Sequence, residues 1–539
     1  MKKQGAYSRH LCSIQAIFCL LLSLLSPSES RAQQIAIIAD PHIQDVVGHP
    51  ELLRTWESQA ESTRLFNENY FAFLAALDDV AQRDIKLVIF PGDLTDNGQQ
   101  LTCQAVTRIL HEYEHLYGMR FFMTTGNHDP NTPVGSHWGQ KDFLGEDGKP
   151  RVIYSDSCQF FLAKKPHEVL TPDTVVPSLR CLGYDELLAE WADFGFQSRN
   201  DYLHWERPEN TSSFPDASYL VEPVEGLWLL AIDGSVHTRR DLPLGPYLWN
   251  GSWPGYNNVL LHKPFLVEWV GDVVRRAHEQ GKHLVTFCHY PMVDFNRGAT
   301  DIIAQAWGEK AFDLTRVPKT EVAQAFLKAG LRLHISGHMH LNNTGQYVSG
   351  DASLVDVQVP SIAGYMPSYK ILTILNDSIY DFQTILVDAV PGFDTFFPRY
   401  GHLSPLASRP SSPYSYQQFC SDWFAQLVVR RFVKQDLPEA LQRQLPLLGG
   451  TDWTGLDLIT DLYRIRFADK RALADIPQER INAYGVNSSN LLPAIQGEEG
   501  NGELRTLREV FRCMLSGLPS DHFCVNVRTG DLAAPDSSR

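Results

Sequence analysis

Sulfur is scarce in this chain. Its 539 residues include nine cysteines and seven methionines. No cysteines have zinc-finger spacing, which argues against a thiolate-held structural zinc. Basic residues are in deficit: 47 Lys and Arg stand against 63 Asp and Glu, a formal charge of −16. That disfavours long nucleic acid, whose phosphates are held mainly by Lys and Arg. Nucleotides and small phosphate esters stay open as partners. After the N-terminal segment no apolar run is long enough to span a bilayer. No internal repeat organises the chain.

The N-terminus does carry a targeting pattern. Lys2, Lys3 and Arg9 precede the apolar run Ile14 to Leu25, and Ser30-Arg31-Ala32 matches a small-x-small cleavage site. The pattern predicts a signal peptide over 1–32 and a periplasmic or secreted product; an uncleaved anchor is the alternative. Losing Lys2, Lys3, Arg9, Arg31 and Glu29 takes the formal charge from −16 to −19. The mature chain keeps seven cysteines, an odd number, so one thiol stays free if the rest pair internally. Export permits disulfides, and Cys158–Cys181 and Cys513–Cys524 are the local pairs to test.

From Gln34 to about Val390, apolar runs alternate with helical patterns, which predicts an α/β domain. Strands are expected at 35–39, 86–90, 120–125, 227–232, 283–288, 331–336, 354–359, 370–375 and 380–386. Helices are expected at 56–83, 99–117, 262–280 and 319–329. Between about 130 and 217 the pattern breaks into a stretch rich in Gly, Pro, Trp and charge, read as an insertion of the kind that shapes sites. Residues 401–416 read as a linker. Residues 417–539 read as a mostly helical accessory region.

Five short segments fall at the C-terminal ends of expected strands. They are Asp40-Pro41-His42, the run Gly92 to Asp96 (GDLTD), Gly126-Asn127-His128-Asp129, His289-Tyr290-Pro291 and Gly337-His338-Met339-His340. Loops at strand C-termini of an open α/β sheet converge on one crevice. Together they bring two carboxylates (Asp40, Asp93), one amide (Asn127) and four imidazoles (His42, His289, His338, His340), with His128 beside them. Oxygen and imidazole ligands without thiolate suit Mn, Fe or Zn rather than Ca. Seven ligands are too many for one tetrahedral ion and about right for two ions sharing a carboxylate.

This ordered set, DPH, GDLTD, GNHD, H and GHMH, resembles the calcineurin-like metallophosphoesterases over roughly residues 34–390. The resemblance implies a four-layer αββα sandwich for residues 33–400 and a centre of two divalent metal ions. Asp40, His42 and His340 would hold the first ion, and Asn127, His289 and His338 the second, with Asp93 shared. It also implies a phosphoric ester hydrolase with a metal-bridging hydroxide as nucleophile. His128 would protonate the leaving oxygen, oriented by Asp129.

Within the family, GDLTD followed by Asn-Gly is similar to the phosphodiesterase-like branch. Asp96 stands where purple acid phosphatases would place a tyrosine. The expected substrate is a small phosphate ester, a diester ahead of a nucleotide or sugar monoester. A non-catalytic binding protein on the same fold is the remaining alternative. Smaller expectations follow for single residues. Asp96 should cap the helix near Gln99, Arg297 is a candidate for the substrate phosphate, and Tyr290 for the pocket lining. Met339 should pack inward, and Gly337 should allow a sharp turn.

Overall fold

The computed structural model describes residues 33–535 apart from 131, 167, 200–215, 243–244, 404–413, 451–452, 487–490 and 494–501. The expected signal peptide and most of the expected linker lie outside these residues. Among the described residues no helix is long and apolar enough to cross a membrane.

In chain order the strands are β1 (Gln33–Ile37), β2 (Leu87–Phe90), β3 (Arg120–Met123), β4 (Gly139–Leu144), β5 (Pro150–Tyr154), β6 (Tyr219–Val224), β7 (Leu227–Ile232), β8 (Thr238–Leu242) and β9 (Gly245–Asn250). They continue as β10 (His283–Cys288), β11 (Leu333–Ser336), β12 (Asn343–Ser349), β13 (Ala352–Gln358), β14 (Ser368–Ile374), β15 (Ile379–Leu386), β16 (His522–Asn526) and β17 (Asp531–Ala533). The helices used below are α1 (Trp56–Ala60), α2 (Asn69–Gln82), α3 (Gln100–Tyr117), α4 (Phe265–Glu279), α5 (Thr320–Lys328), α6 (Tyr416–Leu427) and α7 (Gly455–Ala468).

Two mixed sheets carry the fold. The first runs β17-β16-β15-β14-β1-β2-β3 and the second β12-β13-β11-β10-β7-β6. In the first, the parallel strands β1-β2-β3 form one edge and the rest pair antiparallel; in the second, a parallel centre is flanked by the antiparallel strands β12 and β6. Side chains alternate across a strand, and β10 shows what that does. Val285 and Phe287 join the large core that holds Ile35, Val88 and Phe90 of the first sheet. Cys288, on the other face, joins a second core with Trp269 of α4 and Phe326 of α5. This is the layered α/β sandwich that the sequence motifs imply.

All nine expected strands form. The expected helix over 56–83 does not run through: α1 ends at Ala60 and α2 starts at Asn69. The reason is polar. Gln59 Oε1 accepts from the backbone N–H of Phe66 (2.8 Å) and Asn67 (3.1 Å), and Leu65 N donates to Ala363 O at 2.8 Å. These bonds replace the helical ladder and release residues 61–68 as a loop.

The chain after Tyr416 is mostly helical, and it also holds β16 and β17, which extend the first sheet beyond β15. Its apolar side chains, Phe424, Tyr463 and Phe511 among them, belong to the same large core as β1 and β2. Among the described residues no disulfide forms, so neither Cys158–Cys181 nor Cys513–Cys524 is bridged. Cys181 is buried while Cys158 is exposed.

Candidate metal centre

The five motif segments meet. Each leaves the end of a strand (β1, β2, β3, β10 and β11), and the loops are laced together by short bonds. His42 N donates to Asp93 O at 3.0 Å, and Gly337 N to His289 O at 2.9 Å. His128 N donates to Asp93 Oδ1 at 2.8 Å, and His338 N to Asp40 Oδ2 at 3.0 Å.

The backbone there is strained in one particular way. Asp40 (φ 49°), His42 (44°), Asp93 (51°), His338 (67°) and His340 (57°) all adopt the left-handed region. Such conformations cost on the order of 1–3 kcal/mol each in non-glycine residues and gather at functional sites. Two glycines are needed for close approach. A Cβ at Gly126 would collide with the Asp93 carboxylate, and one at Gly337 with that of Asp40. The role expected for Gly337 therefore changes: it makes room for a ligand rather than supplying an unusual φ.

Two clusters result. In one, His42 Nε2 lies 3.0 Å from His340 Nε2, with Asp40 Oδ1 3.5 Å from the latter. In the other, His289 Nε2 lies 3.0 Å from both His338 Nδ1 and Asn127 Oδ1. Asp93 Oδ2 sits between them, 3.7 Å from His42 Nε2 and 3.2 Å from His289 Nε2. Asp40, His42 and His340 can converge on one point, as can Asp93, His289 and His338. A third grouping joins His42, Asp96 and His128.

These residues fit the two ions the motifs imply. Two nitrogens bound to one ion at ~2.1 Å and roughly at right angles lie about 3 Å apart, the spacing found in each cluster. The imidazoles of His42, His289, His338 and His340 are all buried. The donor set is nitrogen and oxygen only, which suits Mn, Fe or Zn.

Electrostatics hold two of the imidazoles, His42 and His338, in the neutral form that a metal needs. Burial, with Arg64 second, holds His42 well below the usual imidazole range, and burial with His289 does the same to His338. Both rings therefore present lone pairs. Burial alone would also lower His289, but Asp93 and Asp40 outweigh it and raise its pKa to about 9. Burial works against ionisation of Asp93, yet His289 and His128 keep its carboxyl well below the usual range.

His128 lies beside this centre, its ring 5.0 Å from that of His42 and nearly perpendicular to it. Its Nδ1 faces the Asp96 carbonyl at 2.5 Å and Asn97 Oδ1 at 3.1 Å. Burial and then Arg64 lower its pKa to about 4. The expectation that Asp129 orients this ring needs correction. Asp129 accepts from Leu94 N, Thr95 N (both 2.8 Å) and Thr95 Oγ1 (2.6 Å), so it fastens the GDLTD loop, and Asp96 holds the ring.

Three other expectations change or sharpen. Asp96 does not cap α3, whose N-cap is Gln99; it is fully buried and paired with Arg64 at 2.6 Å. Arg297 does not face the site; its guanidinium pairs with Asp469 at 2.9 Å and donates to Asn343 Oδ1 at 2.9 Å. Tyr290 packs edge-on against His289 and His338 and bonds Ser252 through its hydroxyl at 2.8 Å. Met339 is buried, as its place in the motif suggests.

Sequence reasoning missed Arg64, which was hidden inside the apparent helix. The signal available was Ser62-Thr63, two residues that favour local backbone bonds over helix interiors.

The mixed α/β sandwich gathers histidines and carboxylates at its strand ends. The family model for calcineurin-like phosphoesterases matches residues 34–342, and the chain belongs to that family of metal-dependent phosphoester hydrolases. No curated protein matches the chain significantly. Among solved structures, a dimetal phosphatase from Danio rerio is similar at 13% identity and a TM-score of 0.35, covering 66% of this chain and 97% of its own. A purple acid phosphatase from yellow lupin (Lupinus luteus) seeds shows 12% identity and a TM-score of 0.32, covering 67% and 52%. An anchor in the inner membrane complex of Plasmodium shows 13% identity and a TM-score of 0.27, covering 66% and 85%. These likenesses are distant, and the residue roles below rest on geometry and on the family motifs.

Proposed function

We propose that the chain is an exported phosphodiesterase with a dinuclear centre of Mn, Fe or Zn. Asp40, His42 and His340 would hold one ion, Asn127, His289 and His338 the other, and Asp93 both. The observation that carries this reading is the position of Asp93 between two three-residue clusters. When bound, two such ions clamp a phosphate and activate water near neutral pH.

The chain's own residues do the rest. The left-handed ligands and the loop-to-loop bonds fix the donors before substrate arrives, so little reorganisation remains. With Nδ1–H directed at the Asp96 carbonyl, His128 carries a proton on Nε2 only as the imidazolium. A phosphate anion beside the ring favours that charged form, which fits donation to the leaving oxygen. Asp129 supports this indirectly by holding the loop that carries Asp93 and Asp96.

Preference for a diester is supported by GDLTD-Asn-Gly and by Asp96, turned toward Arg64, in place of a tyrosine. Export is supported by the N-terminal pattern. The test is hydrolysis of bis-p-nitrophenyl phosphate against p-nitrophenyl phosphate on metal-stripped chain with Mn, Fe or Zn restored. Faster diester turnover supports the reading, and faster monoester turnover makes the protein a phosphatase. Two bound ions with turnover of neither would favour a binding role.

A further inference from the structure

The metal centre takes up the C-terminal ends of β10 and β11, and a separate cavity lies at their other ends. β10 pairs with β7 along its whole length, from His283 to Cys288, and β11 pairs with β13 from Leu333 to Ser336. Between themselves β10 and β11 pair only at Phe287 and Ile335. Toward their N-termini they border a cavity of about 600 Å³. Other walls come from α4 and from the turn between α5 and β11. Asp377 and Tyr380 of the β14–β15 hairpin, with Val527 and Arg528 of the turn after β16, line it from the first sheet. The volume falls within the span of roughly 300–1,000 Å³ usual for small-molecule sites.

Two buried polar atoms in this lining are unanswered. Side chains alternate along β10, so Thr286 sits on the face of Cys288, toward α4. It is 1% exposed, and its hydroxyl has no hydrogen-bond partner. Arg332 lines the same cavity. Its Nη1 donates to Leu327 O and Leu331 O, both at 3.1 Å, which fixes the guanidinium against the end of α5. Its Nε is buried without a partner. Burial lowers the pKa of Arg332, and no carboxylate offsets that. A buried polar group left unpaired is costly, and a ligand oxygen beside it removes the cost.

The charges around the cavity single out Arg332. Arg275 pairs with Asp272 at 2.5 Å and Glu279 at 2.7 Å, and Lys282 with Glu222 at 2.6 Å. Asp377, the one acid in the lining, lies 3.8 Å from His283. Among the described residues Arg332 and Arg528 have no carboxylate in ion-pair contact, and Arg528 is exposed. Much of the remaining wall is apolar, with Val274, Ala277, Leu284, Leu331 and Leu333. One unneutralised guanidinium in such a wall suits a single negative charge on an apolar body. A guanidinium fork matches a carboxylate, whereas a phosphate dianion would bring a second charge with no partner inside.

We propose that this cavity binds a small amphiphilic carboxylate, an organic monoanion with an aliphatic or aromatic body. Arg332 takes the carboxylate, the apolar walls take the body, and Thr286 is a second donor within the same space. The bound molecule touches elements of both sheets and clamps the sandwich at the strand ends opposite the metal ligands. The site is separate from the one that carries the hydrolase reading.

Calorimetric titration of the full chain with octanoate and with 1-octanol, two probes of equal chain length, tests this. Octanoate should bind one to one and at least about 10-fold tighter than octanol, because a charge-assisted bond is the stronger kind. Arg332→Gln should weaken octanoate about 10-fold and Thr286→Val about 3-fold. Asp93→Ala should leave octanoate binding unchanged, since that carboxylate belongs to the metal centre. Equal binding of the two probes, no octanoate binding below about 10 mM, or unchanged octanoate affinity in both cavity variants overturns the site. Loss of octanoate binding in Asp93→Ala would move the anion to the metal centre and overturn it too. If Arg332→Gln does not fold, Val274→Trp decides: the indole fills the cavity from α4 and should abolish octanoate binding, and retained binding refutes the site.

Discussion

The strand-end loops and the region after Tyr416 join one core by opposite means. The loops accept strain: five ligand-bearing residues sit at positive φ, held by hydrogen bonds from neighbouring loops. The accessory region holds fewer such residues, Asp469 (φ 54°) and Leu492 (φ 51°) among those described. It is fastened by aromatic packing, such as Tyr365 stacked on Phe424 at 4.8 Å, and by buried pairs such as Arg297–Asp469. Strain at the loops keeps donors pointing inward before any ion arrives. Packing in the accessory region makes a platform stable enough to hold the loops there.

Five changes should break or sharpen this contrast, and the largest effect belongs to the loops. Asp93→Ala removes the carboxylate shared by both clusters. It should abolish metal-dependent turnover and reduce bound metal, measured by elemental analysis, while the chain stays folded by circular dichroism. Retained turnover would sink the dinuclear reading.

Arg297→Met strikes the seam between the loop after β10 and the accessory region. It leaves Asp469 buried without its partner, a change that costs about 3–5 kcal/mol. Urea unfolding should report that loss, with metal content unchanged in the folded fraction. A loss below about 1 kcal/mol would show that the accessory region is held by apolar packing alone.

His128→Gln should lower kcat by about 100-fold with metal content intact, the lower end of what a general acid contributes. An Asp129→Asn variant should lower metal affinity as well, because Asp129 holds the Asp93 loop rather than the His128 ring. If Asp129→Asn affected only kcat, the original assignment of Asp129 to His128 would return.

The smallest effect is on pH. Lys370 is buried on β14 and donates to Asn342 Oδ1 (2.6 Å), Thr384 Oγ1 (2.8 Å) and Ser520 O (2.6 Å). Burial lowers its pKa from 10.5 to about 7. The unfolded chain therefore binds the extra proton between these values, so stability rises with pH across them and is lost as pH falls toward about 7. The slope is at most about 1.4 kcal/mol per pH unit. Comparing Lys370→Met with the parent by urea unfolding at pH 7, 8 and 9 should show the slope vanish.

The same contrast explains what the sequence revealed. Candidate ligands at strand ends come as short contiguous words, and each word follows an apolar run, so the gathering of Asp40, His42, Asp93, Asn127, His289, His338 and His340 at one place was legible one motif at a time. The sandwich was legible for the same reason. Arg64 was not, because Leu65 and Phe66 keep helical spacing while side-chain bonds from Gln59 decide the backbone. The partner of His128 was misread since Asp129 is adjacent in sequence, whereas the Asp96 carbonyl is adjacent in space.

Strand β16 lies against β15, yet residues 387–521 separate them. The turn after β16 also reaches the other sheet, where Thr529 O accepts from Ser353 N at 2.8 Å and Gly530 O from Ser353 Oγ at 2.8 Å. During synthesis the edge of β15 must wait for a long stretch of chain before it is covered, and exposed edges invite pairing with other chains. High contact order of this kind slows folding. A product shortened before residue 522 keeps the whole metal motif set and still leaves that edge open, so aggregation, not loss of ligands, is its expected fate.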